Sequence, residues 1–126
     1  MGSRPARPAE VLVVEDNVLA ADALRLLLES AGYRVRVANT AAAAVRACAA
    51  QATDLMLLDL TLPDGSGLDA LEATKAAGTA PRIIVALTGH DDRTLTDRCR
   101  SAGCQAVLLK PVPPRDLLGR LVEWLA

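Results

Sequence analysis

The chain has 126 residues, 52% of them hydrophobic and 23% charged, with a formal net charge of -1; this is the size and balance of one globular domain with a core of its own. Nothing in that balance suggests the clustered basic surface of a nucleic-acid binder, and no uncharged apolar run approaches the ~18 residues that would span a bilayer. One Tyr, one Trp and no Phe leave the core to Leu, Val, Ile and Ala.

Residues 1 to 9, "MGSRPARPA", are polar and carry two prolines. They read as a flexible leader before a folded domain over residues 10–126. Arg4 and Arg7 precede no long apolar run, so no signal peptide is expected. "EVLVVED" is a short β-branched run, hence a buried strand. Residues 17 to 31 predict a helix with Leu24, Leu27, Leu28 and Ala31 on one stripe and Gly32 as its stop. "YRVRVAN" alternates, as an edge strand with one exposed face does. Thr40 is placed to cap the Ala-rich helix "AAAAVRACAAQ". "DLMLLD" is continuously apolar, like a central parallel strand. After the loop around Pro63 and Gly65, Ser66 is expected to cap a helix that turns Leu68 and Leu71 inward. "PRIIVALT" is another buried strand. Asp91 or Asp92 starts a helix with Leu95, Cys99 and Ala102 at i, i+4 and i+7, ended by Gly103. "AVLLK" is the fifth strand, and "PRDLLGRLVEWLA" a closing helix with Leu117, Leu118, Leu121, Val122 and Leu125 in one stripe.

Five strand-helix units in strict alternation predict an α/β fold, a doubly wound parallel sheet covered by helices on both faces. Cys48, Cys99 and Cys104 are odd in number and lack CxxC spacing. They read as small core hydrophobes of a chain in a reducing cytosol. With a single His90 they offer too few soft ligands for a metal site of their own.

The strand ends are less ordinary. The first ends on Glu15 and Asp16, the third on Asp59, the fourth on Thr88 and the fifth on Lys110. In a parallel sheet these ends share one edge, where ligands bind at the switch in strand order. Singly, each has a plain reading. An Asp at a strand end caps a helix or forms a turn, and Glu15 and Asp16 favour the positive end of a helix. Thr88 is a turn hydroxyl, and Lys110 marks a strand leaving the core. Those readings explain badly why four of five strand ends carry such groups. Three carboxylates in one crevice repel one another and are costly to desolvate. A hard divalent ion such as Mg2+ suits oxygen ligands, and together with Lys110 it cancels their charge. Thr88, Lys110 and the metal can then each hold one oxygen of an incoming phosphoryl group, with Asp59 as nucleophile.

With "VVEDN", "LLDLTLPDGSGL", "ALTG" and "LLKP" in this order and spacing, residues 10 to 125 resemble the receiver domain of bacterial response regulators. The resemblance implies a flavodoxin-like, three-layer α/β/α fold with five parallel strands in the order 2-1-3-4-5. It implies a signalling module of a two-component phosphorelay rather than a turnover enzyme. Such a module takes a phosphoryl group onto Asp59 from a histidine kinase or a histidine phosphotransfer protein. It catalyses only its own aspartyl phosphorylation and dephosphorylation. Asp16 and Asp59 would bind Mg2+ directly with the backbone carbonyl of Thr61, while Glu15 would act mainly through a metal-bound water. Thr88 and Lys110 match the family's switch hydroxyl and phosphate-pairing lysine, and the Lys110–Pro111 bond is expected to be cis. The resemblance further implies a cytoplasmic protein with no direct nucleic-acid contact and no membrane segment. Helix 4, strand 5 and helix 5 would be the surface for a homodimer. Thr61 and His90 stand two residues beyond Asp59 and Thr88, positions that flank the phosphoryl group in receivers, and His90 is assigned no catalytic role.

Two departures from the family pattern stand out. Val107 occupies a strand position where receivers usually carry Tyr or Phe and cannot make the inward swing of that ring, so signal output across the helix 4, strand 5, helix 5 face is expected to differ. Val112 replaces a common Phe, and Pro113 and Pro114 stiffen the approach to the last helix. A flavodoxin-like cofactor binder would need a Gly- and Ser-rich loop after the first strand, where "EDNVLAAD" is acidic. An aspartyl phosphohydrolase would carry a second Asp at position 61. A degenerate receiver acting as a phosphorylation-independent interaction module is the remaining alternative. The chain ends just after helix 5, as expected of a stand-alone regulator or of a receiver taken from a larger chain such as a hybrid histidine kinase.

Overall fold

Short apolar runs bounded by turn residues become strands, and the Ala- and Leu-rich segments between them become helices. The structure, a computed structural model, describes residues 8–126. The expected leader, residues 1 to 9, therefore lies mostly outside the described residues. Five strands form the sheet: β1 (Glu10–Val14), β2 (Arg34–Ala38), β3 (Leu55–Asp59), β4 (Ile83–Thr88) and β5 (Ala106–Leu109). The helices are α1 (Val18–Ser30), α2 (Ala41–Ala50), α3 (Gly67–Ala77), α4 (Arg93–Ser101) and α5 (Pro114–Leu125). A two-residue antiparallel ladder, Thr61–Leu62 against Gly65–Ser66, sits between β3 and α3. All sheet pairings are parallel, and the strands lie in the order β2-β1-β3-β4-β5.

The order explains the burial of each strand. β1, β3 and β4 have neighbours on both sides and helices on both faces, and every residue in them is buried. β2 and β5 are the edges and are only partly buried. Residues of opposite pleat feed two cores. Leu12, Val14, Met56, Leu58 and Ala86 pack with residues of α2, α3 and α4, including Ala44, Leu71 and Cys99. Val11, Val13, Leu55, Leu57 and Val85 pack with Leu28 of α1 and with Leu117 and Leu121 of α5. All three cysteines are free and buried. Burial pushes the Cys104 thiol up to about 12, so it behaves as a hydrophobe rather than a nucleophile.

Helix ends follow the local chemistry. Asn17, Thr40 and Asp92 cap α1, α2 and α4, each accepting a backbone N–H three residues on. Gly103, at φ +104°, lets the chain reverse after α4, with the Cys104 N–H donating to the Cys99 carbonyl at 3.0 Å. The side chain of Ser66, expected to cap α3, lies outside the described residues.

Two sequence expectations need correction. Ala31 does not join the buried stripe of α1, because the helix has ended there and the residue is exposed. The second strand is an edge as expected, and Arg36 on it reaches towards α2. Its guanidinium donates to the Ala47 carbonyl at 2.7 Å and to Thr53 Oγ1 at 2.6 Å, closing the C-terminal end of α2. Val122 is 65% exposed rather than packed. It follows Leu121 by one residue, about 100° round the helix, and α5 meets the sheet along the line of Leu117 and Leu121. The difference is measurable. Leu121→Ala should cost about 2–5 kcal/mol in urea unfolding, whereas Val122→Ala should stay within about 0.5 kcal/mol of wild type.

Candidate functional site

Strand register delivers the site. Val14 pairs with Leu58, so the next residues, Glu15 and Asp59, emerge side by side at the carboxyl edge. Asp59 is itself in register with Leu87 of β4, and Thr88 pairs with Leu109, which places Lys110 one step beyond β5. Carboxylate oxygens of Glu15, Asp16 and Asp59 all lie within 4.8 Å of one another. Glu15 and Asp59 are buried, at 3% and 5% exposure, and Asp16 is exposed at the rim.

One cation reaches two of these acids. The Lys110 ammonium donates to Glu15 Oε1 at 2.7 Å and to Asp59 Oδ2 at 3.1 Å. Burial works against the ammonium charge, but the hydrogen bonds and attraction of Glu15 and Asp59 outweigh it and hold the Lys110 pKa above its ordinary value. The Lys110–Pro111 peptide is cis. The remaining acceptors have backbone partners. Glu15 Oε2 takes the Asn17 N–H at 3.2 Å, and Asp59 Oδ1 takes the Thr61 N–H at 2.9 Å. Asn39 steadies the same corner by donating to the Glu15 carbonyl at 2.9 Å.

Thr88 is buried at the same edge, but its hydroxyl is engaged elsewhere. It accepts the His90 N–H at 3.1 Å and donates to the His90 carbonyl at 3.2 Å. The hydroxyl is thus bound into its own loop and not to Lys110 or Asp59. His90 is exposed, as is Thr61, which meets the acids through its N–H. Val107 is half-buried against the core shared with α2, α3 and α4.

The donor set fits a hard divalent cation. It is all oxygen, and three carboxylates face one ammonium, leaving about two negative charges to be balanced. Asp16 makes no hydrogen bond or ion pair among the described residues and faces solvent, so its oxygens are open to an incoming ion.

The model of the response regulator receiver domain matches residues 11–122. The chain belongs to that family. Receiver domains are signalling modules, and relatives carry the same fold. A response regulator receiver domain protein from Methanospirillum hungatei superposes with a TM-score of 0.86 at 31% identity, covering 94% of each chain. The receiver domain of a sensor histidine kinase from Pseudomonas aeruginosa, whose structure has a magnesium ion in the active site cleft, superposes at 0.84 with 31% identity, covering 94% of this chain and 98% of that one. Among curated proteins, the transcriptional regulatory protein KdpE of Mycobacterium tuberculosis is 38% identical over 111 residues, which is 88% of this chain and 48% of KdpE. The chain thus spans about half the length of the first curated relatives it matches.

Sequence reasoning passed over three contributors to this receiver site. Asn17 and Asn39 act through backbone groups around Glu15, which residue type alone does not announce. Gly67 is the third. A Cβ there would collide with the Asp59 carbonyl oxygen, so only glycine allows α3 to start against the Asp59 backbone. Gly67→Ala should cost about 1–3 kcal/mol of stability in a urea titration, because backbone must yield.

The pH dependence of the Lys110 contacts has a definite sign. A folded-state pKa above the unfolded one means that the contacts stabilise fully below the unfolded value of about 10.4, and that this is lost as pH rises through the higher folded value. Side-chain NMR of Lys110 should give a pKa above 10.5 in the wild type, falling in Glu15→Gln.

Proposed function

We propose that this receiver accepts a phosphoryl group on Asp59 in a two-component phosphorelay, with Mg2+ as its cofactor and a histidine kinase or histidine phosphotransfer protein as its donor. The observation that carries the reading is Asp59 itself. It is a nearly buried carboxylate at the end of a central strand, with one oxygen held by the Thr61 N–H and the other by Lys110. That pairing orients the nucleophile.

The metal would be held by Asp16, Asp59 and the Thr61 carbonyl, with Glu15 acting through water. When bound, it neutralises charge on the acids and on the transferring phosphoryl group. A carboxylate oxygen of Asp59 forms the new bond to phosphorus while the bond to the donor atom breaks and its electron pair leaves with the donor. Lys110 then pairs with a phosphoryl oxygen. Thr88 leaves its two hydrogen bonds to the His90 backbone to reach another, and this moves the loop that leads into α4. A docking protein has an apolar footing beside the site. A cleft of about 600 Å³ between α1 and α5 is lined by Leu24, Leu27, Pro111 and Leu117 with Glu15 and Lys110 at one end, and Val18 and Leu19 stand exposed at the head of α1.

No helix among the described residues is long and apolar enough to cross a membrane. Incubation with a phosphohistidine donor or a small acyl phosphate plus Mg2+ should add ~80 Da to the wild type, labile to hydroxylamine, and nothing to Asp59→Asn. Equal labelling of the variant, or labelling indifferent to chelator, contradicts the assignment. A wild type that stays unlabelled with competent donors would favour the phosphorylation-independent interaction module.

A further inference from the structure

The acceptor loop, residues 59–67, is anchored unequally along its length. Its base is tight. The Gly67 N–H donates to the Leu60 carbonyl at 3.2 Å, and Gly67 has no room for a Cβ against Asp59. Its middle is the two-residue ladder, in which Thr61 pairs with Ser66 and Leu62 with Gly65. A ladder this short is marginal by itself. Its tip, Pro63 and Asp64, is exposed. There Asp64 reaches a helix 22 and 23 residues earlier in the chain. Oδ1 accepts the Ala41 N–H at 2.8 Å and Oδ2 accepts the Ala42 N–H at 3.1 Å.

The receiving end matches this ligand. α2 begins with four alanines and has no acidic residue in its first turn. Thr40 Oγ1 takes the Ala43 N–H at 3.0 Å, which leaves the two preceding donors for Asp64. A carboxylate is also the right charge for the positive end of a helix. The Ala41 and Ala42 hydrogen bonds hold the Asp64 carboxyl below its usual range, so it is ionised at neutral pH.

We propose that Asp64 is a positioning residue for the phosphoryl acceptor: by bridging the loop tip to α2, it fixes the hairpin that presents the Thr61 N–H to Asp59. The path is short. Asp64 holds the tip, the tip holds the ladder, and the ladder carries Thr61, whose N–H sets Asp59 Oδ1 at 2.9 Å. Freed at its tip, the ladder frays, and one of the two contacts that orient the acceptor is weakened. This inference rests on the reading of Asp59 as the Mg2+-binding acceptor.

The test compares wild type, Asp64→Ala, Asp64→Asn and Thr40→Ala. Thr40→Ala removes a cap from the same helix without touching the loop. Backbone amide shifts follow Mg2+ titration, native-state exchange follows the amides of Ala41, Ala42, Ala43 and Thr61, and mass spectrometry follows labelling by acyl phosphate. Asp64→Ala should weaken Mg2+ binding and slow labelling by about five-fold, and should speed exchange at Thr61 as well as at Ala41 and Ala42. Asp64→Asn, with one acceptor oxygen instead of two, should fall between. Thr40→Ala should speed exchange at Ala43 and leave Mg2+ affinity and Thr61 unchanged. Wild-type Mg2+ affinity in Asp64→Ala, or an equal loss in Thr40→Ala, overturns the proposal and leaves the acceptor reading standing. A wild type that neither binds Mg2+ nor labels overturns both.

Discussion

Two buried carboxylates on adjacent strands, Glu15 and Asp59, share one ammonium, that of Lys110. Unpaired, each would carry the desolvation cost of a charge held out of water. The lysine comes from the far edge strand, 95 residues from Glu15 and 51 from Asp59. Its reach across β4 therefore needs the sheet to be in register and β5 to be in place. Acid repulsion at the head of the sheet is thus tolerable only in the folded arrangement, and the same compensation makes the site responsive. An ammonium shared between two acids can exchange one of them for a stronger anion without being newly buried.

Around that ion cluster the backbone supplies the rest. Glu15 and Asp59 each place one oxygen on Lys110 and the other on an N–H two residues ahead, from Asn17 and Thr61 respectively. The acids are oriented by the turns that follow their own strands, and those turns are held from outside. Asn39 holds the first through the Glu15 carbonyl, and Gly67 and Asp64 hold the second. Thr88 is the exception. Its hydroxyl is spent on its own loop, so any engagement with a phosphoryl group exchanges two local hydrogen bonds for a charge-assisted one. That exchange is a differential interaction of the kind that can bias a two-state loop.

Packing is thin on the side towards which that loop leads. α4 buries only Cys99 completely and is otherwise strongly polar, and β5 is a half-buried edge whose Leu109 is 53% exposed. Elements with few buried apolar contacts open and shift at low cost. Val107 sits within this region, small and half-buried where the family usually places a ring. A valine there has little surface to expose or withdraw.

Much of this was legible in the chain. Continuous apolar runs marked β1, β3 and β4 because a strand covered on both faces has no polar side to show. Charged and hydroxyl residues at their ends stood out for the same reason, and parallel alternation required those ends to meet. Thr40 and Asp92 were readable, because a cap bonds within three residues of itself. What sequence could not decide was how far each helix rolled on the sheet, and so Val122 was assigned to a buried face that α5 turns towards solvent. Nor could it see bonds made across long separations. Arg36 closes the end of α2, and Asp64, to all appearance a turn residue between Pro63 and Gly65, caps its beginning. Periodicity and capping are local and leave a local mark. The roll of a helix and the partner of a surface carboxylate are fixed only when distant segments come together, so the tertiary structure alone decides them.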